Sequence, residues 1–223
     1  MHRLFRHLTL CLLLTASGGC GEIWNNPYPA AENGENVLHS AFTERPKHLD
    51  PARSYTEDEY TFITQIYRPP LQYHYLKRPY ELIPDAAIAV PHPVFYDARG
   101  KRLPDDAPAE AVAESVYTLT LKPGQRYQPH PAFALDAAGN PRYLALDRAA
   151  LADKFRIRDF PETGTREVRA EDYRYQIKRL AHPGVHSPIF GMMAEKIVGL
   201  KELGDALAAA WQKDPEAWLD LDA

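Results

Sequence analysis

A mixed fold of the α/β (mixed α+β) class is predicted for this chain by three stretches of its 223 residues. Thr56-Glu57-Asp58-Glu59 is a capping-box pattern, and Pro69-Pro70 forbids continuation, so a helix is expected over about residues 56–67. Residues 116–121 set Tyr117, Leu119 and Leu121 against Val116, Thr118 and Thr120, the two-residue period of a strand. Lys122-Pro123-Gly124 ends that strand with a turn signature. Leu200, Leu203, Leu207 and Trp211 recur at helical spacing and predict an amphipathic last helix.

The remaining elements follow in chain order. Arg3 and Arg6 precede the apolar run Leu8-Thr9-Leu10-Cys11-Leu12-Leu13-Leu14, and the small residues Ala16-Ser17-Gly18-Gly19 lead to Cys20. Basic, apolar, then small is the order of a secretory signal peptide, expected here over residues 1–19. The apolar run is much shorter than the roughly 20 residues that span a bilayer as a helix. Cys20 after two glycines is expected to carry lipid, as in bacterial lipoproteins, although Ser17 stands where such sites usually have leucine. Ordinary cleavage after Ala16-Ser17-Gly18 is the other reading. Cys11 then leaves with the signal and Cys20 is acylated, so no disulfide is expected in the mature chain.

Residues 20–35, rich in Asn, Pro, Ala and Glu, read as a tether. Residues 36–223 form the folded part, with strands expected at 37–42 and 87–90 and a helix from an Asp147 cap through Phe155. Glu171 and Asp172 place negative charge at the start of another helix, where the dipole favours it. Tyr60, Ile63 and Tyr67 are the expected buried stripe of the first helix, and Tyr173, Ile177 and Leu180 that of the later one.

Composition removes several function classes. A net charge of -4 with no basic stripe argues against nucleic acid as a partner. His182 and His186 lie four apart, but Pro183-Gly184 between them breaks the helix that would align two imidazoles on a metal. His92 and His130 sit beside prolines and suggest no site either. Ser187 lies in His-Ser-Pro rather than a Gly-x-Ser-x-Gly elbow, and no phosphate-binding loop is present. Asp58-Glu59 and Asp105-Asp106 are adjacent in sequence and read as solvated surface. The expectation is a protein that is not an enzyme and takes no cofactor or metal. Six tyrosines, Tyr55, Tyr60, Tyr67, Tyr73, Tyr75 and Tyr80, crowd one short span. They suit either a ligand cleft or internal packing, and the residues alone leave both open.

Three blocks carry a family resemblance. The first runs through residues 36–84: a strand, the Leu49-Asp50-Pro51 turn, a helix, and the stop Tyr67-Arg68-Pro69-Pro70-Leu71. The second is residues 117–127, a strand with its Lys122-Pro123-Gly124 turn and the following Tyr127. The third is Ala170-Glu171-Asp172-Tyr173. In this order they resemble the extracellular solute-binding proteins of family 5, which feed peptide and nickel ABC importers. Arg68 departs from that pattern, because the family usually has an acidic residue at the stop. The chain also departs in length: full members are bilobed and more than twice as long.

The resemblance implies an incomplete lobe of the periplasmic-binding-protein-like type II kind. It implies a substrate-binding component for oligopeptides that serves a permease in the inner membrane, from a periplasmic position held by the Cys20 anchor. Residues just after the Leu-Asp-Pro turn approach the ligand in that family, which singles out Tyr55, Glu59 and Tyr60. A truncated or degenerate envelope lipoprotein without transport activity is the alternative. Either way, a partial lobe is expected to expose sheet edges and apolar faces.

Overall fold

A computed structural model describes residues 28, 29, 31, 34–144, 146–215 and 221. The chain divides into two units, Met1–Thr43 and Glu44–Ala223. The expected signal peptide, Cys20 and most of the expected tether lie outside the described residues. In the first unit the expected strand at 37–42 does not form: these residues are exposed and join no ladder among the described residues. A strand needs cross-strand hydrogen bonds, and no partner strand is offered among the described residues. The Tyr28 ring stacks on His39 at 3.5 Å instead.

The second unit combines helices with two small antiparallel sheets. Helix α1 (Glu57–Ile66) starts from Thr56, whose hydroxyl accepts from the Glu59 N–H at 3.4 Å. It ends where Tyr67 turns extended before Pro69-Pro70. Strands β1 (Leu71–Tyr73) and β2 (Leu82–Pro84) pair in register Leu71 with Pro84. Strands β3 (Val94–Tyr96) and β4 (Glu114–Val116) pair likewise, Val94 with Val116.

The strand expected at 116–121 is therefore displaced. Only Val116 lies in a ladder, and the alternation survives as a single bridge between Leu121 and Ala87. That bridge also replaces the strand expected at 87–90. It is made by Ile88 N–H to Thr120 C=O at 2.8 Å and Lys122 N–H to Ala86 C=O at 2.9 Å. The Lys-Pro-Gly turn forms as expected, with Gly124 at φ +74°, a conformation open to glycine.

Asp147 caps its turn, accepting from Ala150 N–H at 2.8 Å, yet only successive turns follow. Starting a helix is costly, and the exposed Leu151 and Phe155 bring no burial to offset it. Helix α2 (Ala170–Leu180) forms where the acidic start predicts, with Asp172 accepting from Arg169 N–H at 2.8 Å. Of its expected stripe, Leu180 is buried, Tyr173 half-buried and Ile177 exposed.

Helices α3 (Phe190–Ala194) and α4 (Leu200–Lys213) follow. The main apolar core lies here: Ala181, Leu200, Leu207 and Leu221 are buried together, with Phe190, Met193, Ile197 and Leu203 packed against them. Phe190 rests directly over Gly204 of α4, in space that any larger residue there would contest. A Cβ there would sit 2.3 Å from Phe190 Cζ. Elsewhere the buried residues are mostly alanines, so α4 carries much of the unit's large-side-chain burial.

Candidate functional site

Glu59 organises the segment that leads into α1. Its side chain is 3% exposed. One carboxylate oxygen accepts from the N–H groups of Lys47 at 3.1 Å and His48 at 2.8 Å. The other accepts from Ser54 Oγ at 2.9 Å, Tyr55 N–H at 3.2 Å and Thr56 N–H at 3.4 Å. The capping box expected from sequence is thus the inner part of a larger clamp, in which one side chain closes a loop of about a dozen residues. The His48 N–H above all, then Ser54, Tyr55 and Thr56, outweigh burial and hold the Glu59 carboxyl down at about 2.

The Leu49-Asp50-Pro51 turn is fixed by a residue 129 positions further along the chain. Arg179 on α2 grips Asp50 with both terminal nitrogens, at 2.9 and 2.6 Å. Asp50 also accepts from Ala52 N–H at 3.0 Å. Burial opposes its charge, but the Arg179 guanidinium and the Ala52 N–H prevail and hold its carboxyl below the usual range. A planar fork matched to a carboxylate gives direction as well as attraction, so the pair sets how the turn meets α2.

The tyrosines lie outside this polar framework. Helix α1 buries Glu59 and Ile63, four residues apart on one face. Tyr60, one position around the helix, is turned outward and 65% exposed, and Tyr55 is 76% exposed. Tyr67, expected beside Ile63 in the buried stripe, is also exposed. The sequence could not show this, because the inward position one turn before Ile63 is taken by a carboxylate, Glu59. Of the three residues singled out, Glu59 holds the backbone in place, and Tyr55 and Tyr60 present free ring faces from that rigid mount. Tyr73, Tyr75 and Tyr80 are exposed on the β1–β2 hairpin.

The three sequence blocks meet in space. Besides the Asp50–Arg179 pair, the Tyr173 hydroxyl donates to Arg68 C=O at 2.8 Å, tying α2 to the stop after α1. Gln125 of the middle block accepts from Val168 N–H just before α2 at 2.8 Å, and its side chain donates to Ala86 C=O at 2.9 Å. Arg68, which replaces the expected acid, pairs with Asp85 at 2.6 Å. Sequence reading named Asp50 only as part of a turn and passed over Arg179. A basic residue on the inner face of a helix that begins Ala-Glu-Asp was the signal available.

The histidines have local tasks. His182 Nδ1 accepts from Gly184 N–H at 3.1 Å and its ring meets Trp211 edge-on at 5.4 Å. His130 Nδ1 accepts from Ala132 N–H at 3.1 Å. Among the described residues no group of three or more His, Cys, Asp or Glu side chains is placed to hold a metal ion. No helix among them is long and apolar enough to cross a membrane. No family model, no curated protein and no solved structure matches this chain.

Proposed function

We propose that the chain is a substrate-binding component of an ABC importer, taking an oligopeptide and presenting it to a permease in the inner membrane. The observation that carries this reading is the convergence of the three family-like blocks into one framework. Asp50 of the first is held by Arg179 beyond the third, Tyr173 of the third bonds Arg68 of the first, and Gln125 of the second accepts from Arg68 and from Val168 just before the third. In this reading residues 36–223 form part of a type II binding lobe, and lipid on Cys20 keeps the protein at the periplasmic face. Its work is non-covalent recognition, without enzymatic chemistry or a cofactor.

The chemistry of binding follows from the exposed tyrosines. A ring face packs on apolar side chains of a peptide, while the hydroxyl reaches a main-chain N–H or C=O. Tyr55 and Tyr60 supply these faces, and Glu59 contributes by holding their backbone rather than by touching ligand. Pre-ordering the mount lowers the entropy lost on binding.

Calorimetric titration of the purified chain with a mixed oligopeptide library tests the proposal. Saturable heat is expected, weakened about tenfold by Tyr60→Ala and by Tyr55→Ala, each ring being worth about 1 kcal/mol or more on burial. Sugars bound in place of peptides, or peptides bound equally by both variants, would sink it.

A further inference from the structure

The hairpin joining β1 and β2 carries a tip with an unusual surface. Tyr75 is 88% exposed and Leu76 is 76% exposed, with Tyr73 and Tyr80 open beside them. Such exposure would be unremarkable in a loose loop, but this tip is held by its own bonds. His74 N–H donates to Glu81 C=O at 2.8 Å, and the N–H groups of Leu76 and Lys77 donate to His74 Nδ1 at 3.2 and 3.3 Å. Lys77 Nζ pairs with Glu81 at 2.8 Å. The Arg78 guanidinium lies 4.3 Å from the centre of the Tyr80 ring and donates to Lys77 C=O at 2.8 Å. The Tyr73 and Tyr80 rings lie 5.5 Å apart.

Ordering a loop costs backbone entropy, and leaving Tyr75 and Leu76 in water does little to offset it. The tip is thus shaped in advance for an apolar surface that comes from outside. Its charge narrows the choice. Glu81 is matched by Lys77, which leaves the Arg78 cation without a carboxylate partner among the described residues. Rings with wet hydroxyls, one aliphatic residue and an unmatched cation are the side chains that settle at the headgroup level of a bilayer. A stable protein interface draws on about 20–30 residues a side, far more than residues 74–81 provide, whereas a bilayer accepts a small wedge.

We propose that this hairpin tip docks on an anionic bilayer surface, with Tyr75 and Leu76 entering the headgroup layer and Arg78 facing lipid phosphate. The tip's chemistry is independent of whether the chain carries peptides.

The test uses the full chain carrying Cys20→Ser, so that no acyl group contributes. It is sedimented with vesicles of phosphatidylcholine alone or of phosphatidylcholine with phosphatidylglycerol. Binding is expected to be stronger on the anionic vesicles and to fall about tenfold in Tyr75→Ser/Leu76→Ser. Arg78→Gln is expected to cost about fivefold on anionic vesicles and little on neutral ones. A Tyr75→Trp form adds a local readout, its extra emission being quenched by brominated lipid on docking. Equal binding by wild type and the double variant, or no quenching of Trp emission added at position 75, overturns the proposal. So does attachment to native membranes that vanishes after protease stripping while pure lipid vesicles are ignored, which would mark a protein contact.

Discussion

The segment leading into α1 and the α3–α4 corner are held by opposite means. Around Glu59 and Asp50, backbone N–H groups and Arg179 converge on two carboxylates, and the apolar contribution is small: Ala52 and Ile63. At the corner, Leu200, Leu207, Ala181 and Leu221 are buried together, and the Lys201–Asp205 pair on α4 stays on the exposed face. Polar closure is directional and sets a loop to a definite shape. Apolar burial is non-directional and supplies most of the stabilisation. The difference implies that the first region specifies geometry and adds a response to acid pH, while the second holds the unit together.

Mutations can break that contrast. The largest effect is expected from Leu207→Ala, which removes a buried side chain from the main core and should cost about 3 kcal/mol, read from denaturant unfolding. Gly204→Ala forces a Cβ against Phe190 and should cost about 2 kcal/mol, with loss of helical circular dichroism at lower denaturant. If either variant unfolded at the wild-type midpoint, the corner would not be the main source of stability.

The polar side responds to pH. The Glu59 carboxyl is held at about 2 in the folded chain against the usual 4.5, so its contribution is full above 4.5 and is lost as pH falls towards 2. Asp50, also lowered, adds to the same acid limb. Glu59→Gln should flatten that limb while lowering neutral-pH stability less than Gly204→Ala does; an unchanged acid profile would detach Glu59 from the clamp. Arg179→Gln should cost about 1 kcal/mol, because its partner is only partly shielded, and the loss should shrink in high salt. The smallest effect belongs to Tyr60→Ala, expected within about 0.5 kcal/mol of wild type because the ring is exposed. A larger loss would mean that Tyr60 packs in solution.

Local signals were legible in the sequence where a few neighbouring residues settle the outcome. Thr56, Glu59 and Pro69-Pro70 marked both ends of α1, and Lys122-Pro123-Gly124 marked its turn. The strands were less legible. Residues 37–42 have the residue types of a strand but no ladder, and the alternation at 116–121 is met by a partner only at Leu121. Pairing depends on what another segment offers, and period alone cannot report that. The tyrosines show the same limit, since helical spacing placed Tyr60 and Tyr67 with Ile63 although Glu59 holds the inward position.

By itself, then, the sequence determined the limits of α1, the start of α2, the Lys-Pro-Gly turn, the amphipathic α4 and the mixed class of helices with small sheets, but not the fate of residues 147–155, where the expected helix gives way to turns. These depend on capping groups, ring constraints and periodicity within one short segment. The tertiary structure alone decided that Arg179 reaches Asp50, that five donors gather on Glu59, that Phe190 rests on Gly204, and which rings face water. Each joins groups through the path of the backbone in space, where direction and distance rather than residue type select the partner.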